Sequence, residues 1–147
     1  MKPTEFISIS KKILLGTFVL ILLISFSSCA TKAKFLTSTV VPAARGDVQV
    51  KQNKNKNYVI NVEITDLAEV ERLQPSRNTY VVWLVSEQDE TKNLGQMKSS
   101  SGTFSSNLKA SFETVSSTKP SKIFITAEDD GTTHYPSGEV VLTTNRF

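Results

Sequence analysis

The stretch YVVWLVSE, residues 80–87, is apolar on both sides of an extended chain, with Tyr80, Val82 and Leu84 on one side and Val81, Trp83 and Val85 on the other. A strand without a polar face must be covered twice, so it belongs at the centre of a sheet. Other runs are half as greasy. In YVINVEIT, Tyr58, Ile60, Val62 and Ile64 share one face while Asn61, Glu63 and Thr65 share the other. DVQVKQ precedes it across the polar turn NKNKN, and together they read as a hairpin with one dry face.

The remaining apolar runs are KFLTSTVV, ending before Pro42, then NLGQMK, TFSSNLKASFE, KIFITAE and EVVLTT. Turn-forming segments, SSSG and DDGTTHYPSG among them, separate these runs. In DLAEVERLQP, Asp66 with Glu69 three positions later gives a capping-box-like start and Pro75 an end, so one helical turn is expected within a connection. The pattern gives about eight strands and no long helix beyond the N-terminal segment, which predicts an all-β fold: an immunoglobulin-like antiparallel β-sandwich. Trp83 is expected as a core residue packed between the two sheets.

The N-terminus follows a different logic. Lys2, Lys11 and Lys12 precede the uncharged run ILLGTFVLILLI, and small residues lead to Cys29, the single cysteine of the chain. This is the layout of a secretory signal, and a cysteine directly after the small residues resembles the lipobox of bacterial lipoproteins. Phe26 stands where that motif usually has an aliphatic residue. The resemblance implies a signal peptide over residues 1–28, cleavage before Cys29, acylation of its thiol and usually of its new amino group, a lipidated tether over 29–34, and one domain over 35–147. The competing reading is an uncleaved membrane helix. Against it, the strongly apolar part stops at Phe26, short of the roughly 17 to 25 residues a span needs.

More than one acyl chain makes a firm anchor, because a single chain holds only marginally. Ala30 after the cysteine follows the lipoprotein sorting pattern for an outer membrane, so the expected location is the cell envelope, lipid-anchored, facing the periplasm or the surface. Loss of residues 1–28 removes three lysines and one glutamate and leaves a net charge of about +1. The densest basic stretch, KQNKNKN, reads as a solvated turn, too little for a phosphate-neutralising stripe, so nucleic acid is not an expected partner. With Cys29 acylated no disulfide can form, and burial and backbone pairing must hold the fold.

The segments AARGDVQV, YVVWLV, NLGQM and KIFITAEDDGTTHYPSGEVVL, in that order, resemble the extracytoplasmic domain of anti-sigma-K factors. Gly46, Tyr80, Trp83, Leu84, Gly95, Thr126, Glu128, Pro136, Ser137 and Gly138 carry the likeness, which covers roughly residues 35–142. It implies a β-sandwich outside the membrane. It does not imply sigma-factor binding, which in that family belongs to a cytoplasmic domain ahead of a membrane helix. Fold alone does not fix function.

Few residues suggest catalysis or metal chemistry. The one histidine, His134, falls in a predicted loop, no Gly-x-Ser-x-Gly occurs, and a zinc site would need about four Cys or His ligands. The run EDDG, Glu128 to Gly131, has carboxylates enough to touch calcium, but an Asp-Gly turn with solvated side chains accounts for it. No cofactor or metal is expected, and no enzymatic activity. Tyr135, beside His134 and Pro136, is the residue best placed by sequence for an exposed contact. The expected function is a non-catalytic binding or envelope-interaction module, with the membrane and an envelope protein as partners. The alternative is a small-molecule-sensing domain, which requires a formed pocket.

Overall fold

The computed structural model describes residues 30–97, 100–101 and 108–147. The expected signal peptide, Cys29, Ser99 and Gly102 of the SSSG turn and residues 103–107 of TFSSNLKASFE lie outside the described residues. The strands are β1 (Ala30–Lys34), β2 (Arg45–Gln52), β3 (Tyr58–Thr65), β4 (Thr79–Ser86), β5 (Thr91–Met97), β6 (Ser100–Ser101), β7 (Leu108–Ser116), β8 (Pro120–Glu128) and β9 (Glu139–Thr143). They form two antiparallel sheets, ordered β1-β2-β3-β7-β6 and β5-β4-β8-β9. Apart from the edge strand β1, this is the strand order of an immunoglobulin sandwich, in which the chain changes sheet after β3, β5 and β7.

Alternation explains the core. Val48 and Val50 of β2, Ile60, Val62 and Ile64 of β3, and Ala110 of β7 face Tyr80, Val82 and Leu84 of β4 and Ile123, Ile125 and Ala127 of β8. Each fully buried large aliphatic side chain contributes about 1.5–3 kcal/mol, and together they offset the ordering of a chain without crosslinks. The hydroxyl of buried Tyr80 donates to the Ala68 carbonyl at 2.9 Å, tying the β3–β4 connection to the core. Burial, then the charge of Glu71, pushes that phenol far above its ordinary pKa, so it stays a donor.

The segment 30–34, expected as a tether, is β1, paired with β2 in the register Ala30↔Lys51 to Lys34↔Asp47. KFLTSTVV is not a strand beyond Phe35, which bridges to Thr144, the residue after β9. The Ser38 hydroxyl instead accepts the amides of Val40 and Val41, a local bond that competes with strand pairing and turns Val41 into the core. The helical turn is present as a 3-10 turn over Val70–Arg72, but Glu69 precedes it without a side-chain cap. Asp66 has φ 56° and its amide donates to Leu108, so it ends β3 instead of capping a helix.

The sandwich has two distinct ends. Ala30, Lys51, the 53–57 turn, the β4–β5 and β7–β8 turns and Phe147 lie at one end. The connection 66–78 and the β8–β9 loop, residues 129–138, lie at the other.

Candidate functional site

The expected contact residues His134 and Tyr135 sit in the 129–138 loop, and the loop is no loose excursion. It departs from β8 at Glu128, crosses the outer face of the sheet toward β5, and returns to β9 at Glu139. On β5 the Asn93 side-chain amide donates to the carbonyls of Gly131 and Thr133, at 3.0 and 2.8 Å. Gly131 rests so close to Gln96 that a β-carbon would fall 2.2 Å from its side chain. Because β4 lies between β5 and β8, the loop is a strap across β4.

Trp83 lies on this outer face, which corrects its expected place between the sheets. Its register partners are Asn93 and Phe124, and its alternation partners Tyr80, Val82 and Leu84 are the ones that enter the core. Trp83 is nevertheless fully buried, stacked on Phe124 with ring centroids 6.1 Å apart. A strand apolar on both faces is thus covered by the second sheet on one side and by the strap on the other.

A polar chain runs from Trp83 into the strap. Its indole N–H donates to Thr126 Oγ1 at 2.8 Å, and the Thr126 hydroxyl donates to Glu128 Oε1 at 2.6 Å. Glu128 Oε1 also accepts the Ser137 amide at 3.1 Å, while Oε2 accepts the Ser137 hydroxyl at 2.7 Å and the Gly138 amide at 2.9 Å. Glu128 is only 2% exposed, so the expectation that the EDDG carboxylates are all solvated fails at its first residue. Asp129 and Asp130 are exposed, as expected. Burial raises the Glu128 pKa, but the bonds from Thr126, Ser137 and Gly138 outweigh it and hold the carboxyl below its ordinary 4.5.

Gly138 explains why the strap must end on glycine. A β-carbon there would lie 1.8 Å from the Ala127 carbonyl oxygen. Trp83, Thr126, Glu128, Ser137 and Gly138, named by sequence as separate motif residues, therefore converge on one buried lock. Sequence order could not reveal this convergence, because the five residues span three elements that only the pairing of β4 with β8 brings together.

Outside the lock the strap is open to solvent. Tyr135 is 79% exposed and His134 is exposed. Asp130 accepts from the Thr132 amide and hydroxyl, which hold its carboxyl below the usual range, and Asp129 pairs with Arg77 of the neighbouring connection. Between them lies an open concavity of about 570 Å³ lined by Glu128, Asp130, His134, Tyr135 and Ser137 among others. Among the described residues no group of three His, Cys, Asp or Glu side chains is placed to hold a metal ion. No helix of the described residues is long and apolar enough to cross a membrane.

What the arrangement can do chemically is limited by how fully Glu128 is used. Its oxygens accept four hydrogen bonds, which leaves a fixed anion suited to hold backbone and unsuited to exchange protons. The site is a rigid platform that offers an aromatic side chain to solvent. Comparison with protein-family models, with curated proteins and with solved structures gives no match in any of the three.

Proposed function

We propose that this chain is a non-catalytic binding module of a bacterial cell envelope, lipid-anchored at Cys29, that engages a partner protein through the 129–138 strap. The observation that carries the reading is Tyr135, a large aromatic 79% exposed on a segment fixed by a buried carboxylate. A pre-ordered aromatic contact loses little freedom on binding, and aromatic side chains are enriched in protein interfaces. The strap also lies at the end of the sandwich away from Ala30, the residue after Cys29. A module anchored there presents the strap outward.

The N-terminal basic segment, apolar run and terminal cysteine support the anchor, and Ala30 favours the outer membrane. Five of the ten residues that carry the likeness, Trp83, Thr126, Glu128, Ser137 and Gly138, join in one lock, which supports kinship with the extracytoplasmic domain of anti-sigma-K factors without the sigma-binding function of that family's cytoplasmic domain. The test is crosslinking in intact cells followed by mass spectrometry of what is recovered with the chain. A reproducible envelope-protein partner, lost when Tyr135 is changed to Ala, is the expected result. Recovery of the chain alone from both would overturn the module and turn attention to a small molecule, sought by a ligand-dependent melting shift.

A further inference from the structure

The β2–β3 hairpin carries Lys51 near the end of β2 and Lys54 and Lys56 in its turn, all exposed, and no acidic residue occurs between Val48 and Val62. None of these three ammonium groups has an ion-pair partner among the described residues. Three ion pairs neutralise other charges at this end: Lys119 with Glu87, Lys92 with Glu90, and Arg146 with Asp89. The far end has the opposite balance. Asp66, Glu71, Asp130 and Glu139 are exposed and unpaired there, against Arg45 and Lys109.

Position gives this polarity a meaning. Ala30 is the register partner of Lys51, about 5 Å away across an antiparallel pair, and Cys29 is one residue further. There is no tether to let the domain drift, because the strand starts at once. An acyl chain on Cys29 would therefore hold Lys51, Lys54 and Lys56 within about one Debye length, ~10 Å, of the lipid surface.

We propose that the β2–β3 turn is a membrane-docking surface for anionic phospholipid headgroups, which fixes the domain upright with its basic end on the bilayer and its acidic end away. The inference rests on the anchor at Cys29 proposed above and adds a second contact, of the kind that converts acyl attachment into a defined orientation.

The full chain, made in cells that process lipoproteins, is reconstituted into phosphatidylcholine vesicles with or without phosphatidylglycerol. A water-soluble amine reagent then labels it, read site by site by mass spectrometry, with the acyl mass on Cys29 read in the same digest. Lys51, Lys54 and Lys56 should label about fivefold more slowly on anionic vesicles, an effect abolished by high salt, while Lys109 at the far end labels equally on both. An acylated chain whose three hairpin lysines label equally on the two vesicles overturns the docking surface and leaves the anchor standing. A chain without acyl mass overturns the anchor and the docking surface with it.

Discussion

Glu128 is an anion with almost no water around it, which costs free energy unless every acceptor lone pair finds a donor. Four donors meet it, two of them backbone amides of the strap. Glu128→Gln turns one acceptor oxygen into a donor facing donors, and should destabilise the fold by about 2 kcal/mol, read as a lower urea midpoint. The pH dependence follows from the sign of the shift. A carboxyl held below its ordinary 4.5 in the fold adds stability that is present above that value and lost as pH falls through the lower, folded one. Wild-type stability should therefore drop below pH 4.5 more steeply than that of Glu128→Gln, and parallel curves would contradict the lock. Trp83→Phe keeps the ring stack but removes the indole donor, and should cost about 1–3 kcal/mol in the same assay.

At the scale of elements, the strap is the feature that makes β4 possible. Gly138→Ala cannot fit its β-carbon beside the Ala127 carbonyl, so the strap must lift, with an overpacking cost of about 1–3 kcal/mol. Trp83 is the sole tryptophan, and its emission should shift to the red in this variant while the far-ultraviolet spectrum of the sheets is kept. Alternation made most strands legible: β3 runs over the same residues, Tyr58–Thr65, as its apolar pattern, and β4 differs by one residue at each end. KFLTSTVV misled because the Ser38 hydroxyl competes locally for the amides that a strand would pair. Double-sided apolarity correctly marked β4 as covered twice, but period two cannot say which cover lies on which face. Alternation therefore cannot place Trp83 on the outer face, and the burial of Glu128 is not legible in the sequence, since it depends on Ser137 and Gly138 returning across space. The exposure of Tyr135 and His134 followed from their turn-rich surroundings.

The whole molecule is polar along its length, basic beside Ala30 and acidic around the strap. An immunoglobulin-like sandwich places loops at both ends, and the proposed membrane contact and the proposed binding strap fall at opposite ends. Cys29→Ala should abolish acyl labelling in cells and leave an unprocessed or mislocalised chain, whereas retained labelling would place the lipid elsewhere. Tyr135→Ala should leave stability within about 0.5 kcal/mol of wild type, because the side chain is exposed and outside the lock. A photo-activated crosslinker placed at position 135 in living cells and, in parallel, at position 55 of the basic turn tests the binding strap against the membrane-facing end. A reproducible envelope-protein adduct from position 135 and none from position 55 is the expected result. Protein adducts from position 55 with none from position 135 would contradict it, since the binding end of the molecule would then be the end assigned to the membrane.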